Sequence, residues 1–215
     1  MNRLPDDVLE FWKEHIPGAY LAGGAVRCEF DGTEVSDYDF FFLNSEELIR
    51  SVDNENFPKD KVVFRCPANQ LVSLKIGPDK SPHHIQIICK RNHNDIFSLL
   101  QEFDFTAACM ARSLDGSFYA LPDAVTDAKE KTLRVAHNLL YPVSTMKRMQ
   151  KYFEKGYKAH PSIYVMIAQS AVLLFNEMSE EEKNMFLERD FKPELDITAP
   201  FYDEHLGPFS LSGVD

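Results

Sequence analysis

The sequence predicts an α+β fold, a mixed sheet with flanking helices followed by a helical C-terminal region. Three observations carry this. Apolar runs of strand length, Lys61 to Cys66, Leu71 to Ile76 and His84 to Cys89, are punctuated by turn residues such as Gly77-Pro78-Asp79. Two further runs, around Leu21 and Phe40, bring the expected sheet to about five strands. Beyond Pro122 the apolar period becomes helical, over Ala124 to Asn138, Thr145 to Gly156, Ile163 to Glu177 and Ser179 to Asp190.

In chain order, Leu4 to Ile16 has Pro5 near a helix start and Val8, Leu9, Trp12 and Ile16 on one face; Pro17-Gly18 stops it. A short helix is expected from Ala25 to Phe30, then a loop in which Asp31 and Glu34 are solvated charges. Asn44 or Ser45 caps a helix from Glu46 to Asp53, and Asn92 or Asn94 caps one through Ile96, Leu99 and Leu100. A strand over Phe118 to Leu121 closes the first unit. Gly156 reads as a C-cap, and Ser179 with Glu182 as a capping box. His83 and His84 are neighbours, which face opposite ways on a strand, so they are assigned to a loop and not to a metal. The chain divides into a core (residues 1–122), a helical region (123–190) and an extended tail (191–215).

The chemistry concentrates in YLAGGAVRCEFDGTEVSDYDFFF, residues 20–42. Gly23 and Gly24 permit backbone dihedrals closed to other residues and let a ligand approach the main chain. A helix starting just after them turns its unpaired N–H groups and positive dipole end toward the turn, which suits a phosphate. Arg27, in the first turn, offers a forked cation for phosphate oxygens. Asp37 and Asp39, two apart on a strand, project together and repel unless a cation lies between them. The simplest occupant is Mg2+, or Mn2+, carrying a nucleoside triphosphate.

Gly23-Gly24 followed by Asp37-x-Asp39 among apolar residues resembles the signature of the DNA polymerase beta-type nucleotidyltransferase superfamily. LAGGAVR is most similar to its poly(A) polymerase and tRNA CCA-adding branch. Phe103-Asp104-Phe105-Thr106 is similar to a segment that follows the catalytic strands in that branch. HIQIICKR and KRMQKYFEKGYK resemble small nucleotidyltransferase-like proteins of bacteriophages. The resemblance spans Tyr20 to Tyr157 and implies a nucleotidyltransferase-type sheet, Asp37 and Asp39 as catalytic metal ligands, and Gly23, Gly24 and Arg27 at the triphosphate.

Two positions depart from the family pattern. Cys28 stands where an acidic residue commonly follows the arginine. The strand that would bear a third carboxylate offers Gln86, which accepts a hydrogen bond but takes no proton at neutral pH. Either Asp104 substitutes for it, or the acceptor is activated differently, or the domain binds nucleotide without efficient transfer. Asp104 itself reads either as a third ligand or base, or as a structural carboxylate. On the helix from Thr145, Lys147, Arg148, Lys151 and Lys155 form a cationic stripe that either holds the triphosphate or faces solvent.

Composition bounds the partners. With 23 basic and 34 acidic residues the formal charge is −11, which disfavours an extended nucleic-acid surface. Four dispersed cysteines without a CxxC spacing read as reduced, buried thiols. No run has the length of a membrane span, and there is no signal pattern, so the expected location is cytoplasmic, including that of an infected host. The expected function is NTP-dependent transfer of a nucleoside monophosphate to a hydroxyl acceptor (RNA, protein or metabolite). The alternative is a non-catalytic nucleotide- or partner-binding protein on the same fold.

Overall fold

The computed structural model describes residues 4–66, 70–136, 139 and 142–184. The expected tail lies outside them. Helix α1 (Asp6–His15) starts after Pro5, with Asp6 and Asp7 in its first turn and Lys13 and His15 in its last, each complementing the helix dipole. It buries Val8, Phe11 and Trp12, and the Trp12 indole N–H donates to the Ala19 carbonyl at 3.0 Å. Strand β1 (Tyr20–Ala22) leads through Gly23 into α2 (Gly24–Asp31), and β2 (Tyr38–Phe41) returns antiparallel to β1, pairing Ala22 with Asp39.

Helix α3 (Ser45–Asp53) is capped by Asn44, whose side chain accepts from Glu46 N–H. Strands β3 (Val62–Cys66), β4 (Leu71–Ile76) and β5 (His83–Ile88) form an antiparallel meander, and β5 lies parallel to β2. Helix α4 (Ile96–Leu100) begins at Asp95, which makes a capping box with Ser98. Asp95 is therefore the cap in place of Asn92 or Asn94; Asn92 instead accepts from Ser45 N–H, tying two loops together. Strands β6 (Met110–Arg112) and β7 (Phe118–Ala120) extend the sheet past β1.

The sheet thus has seven strands, ordered β3-β4-β5-β2-β1-β6-β7: the five expected from the apolar runs, the strand expected over Phe118 to Leu121, which is β7, and β6, whose three-residue length lies below what a periodicity window detects. His83 and His84 belong to β5 and not to a loop.

Helix α5 (Ala124–Glu130) is shorter than the helix expected to Asn138. Lys131 takes a left-handed conformation, and the chain turns into β8 (Thr132–Leu133), which pairs in parallel with β9 (Lys158–Ala159). Helices α6 (Pro142–Glu154) and α7 (Ser162–Glu177) follow, and Gly156 has the positive φ of a C-cap residue. Ser179 and Glu182 form the expected reciprocal capping box. One hydrophobic core runs from Val8 through Phe40 to Ala124, Leu133, Tyr157 and Ile167, continuous across residue 122. Among the described residues no helix is long and apolar enough to cross a membrane.

Candidate nucleotide site

Alternation along β2 divides the sheet into two faces. Tyr38 and Phe40 lie on the packed face. The Phe40 ring is 5.1 Å from Trp12 of α1, and the Tyr38 ring is 5.8 Å from His83. Asp39 and Phe41 point to the other face, where Phe41 meets Phe103 at 5.5 Å. On this second face Asp39 is flanked by Ala22 on β1 and by Gln86 on β5. The position beside Asp39 that would carry a third carboxylate is thus occupied by an amide.

The glycine turn closes the end of the sheet where Asp39 lies. Gly23 has φ +71°, and a Cβ there would lie 2.8 Å from the Phe103 ring, so a side chain is excluded by both conformation and space. Its N–H is spent on the Met110 carbonyl at 3.0 Å. Gly24 differs: nothing lies within 4 Å of where its Cβ would be. That open volume stands at the N-terminus of α2, where first-turn N–H groups lack intrahelical partners. The cradle therefore belongs to Gly24 and the residues after it, with Gly23 shaping the turn.

Asp39 is the electrostatic anomaly. Its Oδ1 is enclosed without a hydrogen-bond partner, and burial, reinforced by the nearby Asp37 charge and only partly offset by Lys90, pushes its pKa up to about 8. Asp37, just ahead of β2, is half-buried and accepts a hydrogen bond from the Ser36 hydroxyl. Among the described residues no cluster of three or more His, Cys, Asp or Glu forms a metal cage. A pair of carboxylates nonetheless fits Mg2+, which takes one or two carboxylates and completes its shell with water and substrate phosphates. An orphaned carboxylate oxygen facing a like charge is the donor set such an ion would satisfy.

Cations stand around this pair. The Arg148 guanidinium, on α6, pairs with Asp104, which brings together two residues expected at the site. Lys90 experiences the charges of Asp39, Glu102 and Asp104 as well as Arg148; desolvation and Arg148 together lower its pKa. Desolvation and Arg27 likewise lower that of Lys155, which also feels Asp37. Lys147 is half-exposed and Lys151 exposed on the same helix. Lys90, just past the end of β5 at Ile88, and Lys155, on the expected basic stripe, thus feel the site's carboxylates.

Arg27, expected at the triphosphate, is enclosed: it is 2% exposed and directed along α2 to Asp31, with its guanidinium carbon 5.0 Å from the Tyr152 ring centre and 5.6 Å from that of Tyr157. Asp31, expected to be solvated, is buried; it accepts from Tyr157 Oη at 2.7 Å and from Thr33 N–H at 2.9 Å. Burial alone would raise its pKa, but the hydrogen bonds from Tyr157 and Thr33 and the Arg27 charge hold it below the ordinary carboxylate value. Cys28, at the position often acidic, is buried with its thiol directed to the Glu34 carbonyl.

The Asp104 segment is stitched to the chain that follows α5: Thr106 N–H donates to the Arg134 carbonyl at 3.0 Å and Ala136 N–H to the Asp104 carbonyl at 2.9 Å. The Thr106 hydroxyl also donates to buried Asp127. A separate cavity of about 510 Å³, lined by Cys28, Glu34, Ser36, Tyr38 and His83 among others, lies on the packed side of β2 and not at the carboxylates.

This arrangement defines a nucleotidyltransferase-like fold. Solved structures share it: a tRNA-processing enzyme in an apo form (TM-score 0.58, 24% identity, 82% of this chain and 50% of that one), a CCA-adding enzyme with ATP (0.57, 20%, 84% and 45%), and the Thermotoga maritima CCA-adding enzyme complexed with tRNA (0.53, 18%, 86% and 50%). More particularly, the family model of the Gabija anti-defense 2 proteins matches residues 2–131, and the chain belongs to that family. A curated relative, Gabija anti-defense 2 of Bacillus phage SPbetaL7, is 24% identical over 185 residues, covering 84% of this chain and 44% of the relative. The chain thus spans about half the length of the proteins it matches.

Proposed function

We propose that the chain transfers a nucleoside monophosphate from an NTP to a hydroxyl acceptor in a Mg2+-dependent reaction, and that this activity serves the anti-defence role for which its family is named. The observation that carries the reading is Asp39: a carboxylate enclosed beside Asp37, with an unpartnered oxygen and a pKa pushed up to about 8, at the open end of a glycine turn. Asp37 and Asp39 would hold Mg2+ (or Mn2+), which supplies Lewis acidity at the phosphoryl oxygens. The N–H groups at the start of α2 would receive the phosphates in the space above Gly24. Arg148, Lys90 and Lys155 would balance their charge, Arg148 from within its pair with Asp104; Lys147 and Lys151 lie on the same basic helix. The acceptor oxygen bonds to the α-phosphorus and pyrophosphate leaves. RNA, a protein of the host defence and a metabolite are the acceptor classes, in the cytoplasm of an infected host.

Isothermal titration of each NTP, with and without Mg2+, tests the reading. Metal-dependent binding is expected, weakened in Asp37→Asn/Asp39→Asn by more than the ~10–100-fold that outer-shell metal partners cost. Equal affinity in the double variant overturns it. Gln86 in place of a third carboxylate favours a second reading, a non-catalytic nucleotide- or partner-binding protein. That reading requires nucleotide binding without turnover, together with a stable protein partner.

A further inference from the structure

Transfer to a hydroxyl requires that its proton go somewhere. Gln86 takes none, Asp37 and Asp39 are engaged with the metal in the reading above, and Asp104 is paired with Arg148. Strand register places another group on the same face. Asp39 pairs with Gln86 and Gln86 with Ser73; two residues earlier on β5, His84 pairs with Lys75, while Ile85 between them pairs with Tyr38. Alternation therefore puts His84 on the face of Gln86 and Asp39. His83 verifies the parity from the opposite side, with its ring edge-to-face against Tyr38 and its Nε2 3.5 Å from Asp7. His84 is exposed, so a second substrate arriving from solvent meets it. Two residues along a strand and one strand spacing of about 4.8 Å bring an imidazole at this position within one small substrate of the carboxylates.

We infer that His84 is the general base for the acceptor hydroxyl, an inference that rests on the nucleotidyltransferase reading. The imidazole takes the hydroxyl proton as the acceptor oxygen forms its bond to the α-phosphorus. The bond from that phosphorus to the bridging oxygen breaks, pyrophosphate leaves with the electron pair, and the imidazolium returns its proton to water. Imidazole suits the task because its ordinary pKa lies close to neutrality. Lys75 on β4 pairs with it, Asp37 directly precedes Tyr38, the β2 partner of Ile85, and Asp79 and Lys80 belong to the turn joining β4 to β5.

Two measurements on the full chain test this. In imidazole-selective 1H–15N spectra, Mg2+ with α,β-methylene-ATP is expected to shift the His84 ring signals, assigned by their loss in His84→Gln, and to leave those of His83 in place. An analogue that binds by calorimetry without moving His84 overturns the inference. With Mg2+-ATP and water as the acceptor, pyrophosphate release is expected to rise about tenfold per pH unit on the acidic side. His84→Gln should lower release ~100-fold and abolish that limb, leave analogue affinity unchanged, and be partly rescued by Gln86→Glu. Retention of the acidic limb in His84→Gln overturns the role of His84 alone. Absence of nucleotide binding in wild type overturns the nucleotidyltransferase reading, and the role of His84 with it.

Discussion

Two aspartates near helix α2, Asp31 buried and Asp39 with one oxygen enclosed, differ in how their charge is met. Asp31, at its C-terminal end, receives Arg27, Tyr157 and Thr33, and its carboxyl is held below the ordinary value. Asp39, beside the N-terminal end, has an oxygen with no donor and a like charge at Asp37, and its pKa rises to about 8. Burial opposes ionisation at both sites; supplied partners overcome it at one and not at the other. The first carboxylate is complete within the protein, fastening α2 to the Tyr152 and Tyr157 side chains. The second has an Oδ1 that no described residue serves.

The largest effect expected from this contrast is on stability. Asp31→Ala strands a buried guanidinium and should cost about 3–5 kcal/mol in denaturant unfolding, whereas Asp39→Asn, which replaces a carboxyl that has an oxygen without a donor, should cost nothing or stabilise the nucleotide-free protein. Equal losses would erase the distinction.

The pH dependence should separate them further. Asp39 has a folded pKa above its unfolded value, so the folded state binds the extra proton. Its contribution is fully present below the unfolded value near 3.8 and is lost as pH rises to about 8, at about 1.4 kcal/mol per pH unit. Asp31, with a depressed pKa, contributes stability that is present above its unfolded value of 3.8 and lost as pH falls below it. Unfolding curves across pH should therefore lose their neutral limb in Asp39→Asn and their acid limb in Asp31→Asn. Mg2+ with an NTP should flatten the neutral limb of wild type.

The paired glycines sharpen the comparison at smaller magnitude. Gly23→Ala forces a Cβ to 2.8 Å from Phe103 at a positive φ and should cost about 1–3 kcal/mol, part of which Phe103→Leu recovers. Gly24→Ala meets no protein atom and should shift stability by less than about 0.5 kcal/mol, yet lower NTP affinity in the same titration that tests Asp39. Smallest of all, Arg148→Ala breaks a half-exposed pair with Asp104. It should change stability by at most about 1 kcal/mol, so a drop in NTP affinity there reports phosphate contact and not unfolding.

Much of this was legible in the residues. Leu71 to Ile76 forms the strand expected of it, Gly156 and the Ser179–Glu182 box cap as read, and the glycine turn and Asp37-x-Asp39 occupy one end of the sheet. What was misread involved partners distant in sequence. Arg27 has the spacing from Gly23 of a phosphate ligand, and the structure buries it against Asp31 and against Tyr157, 130 positions away. Asp31 looked solvated because it adjoins a glycine in a loop-like stretch. Strand β6 escaped notice because three residues carry no periodicity.

The sequence by itself determined the α+β class, the position of the glycine turn and the carboxylate pair, because each depends on dihedral preference or on alternation over a few residues. Only the tertiary structure decided which charges are answered. It gave Asp31 its cation and hydroxyl, left Asp39 without a donor, set Gln86 beside it and His84 on the same open face. Desolvation and Coulomb energies depend on distances through space, which local sequence does not encode.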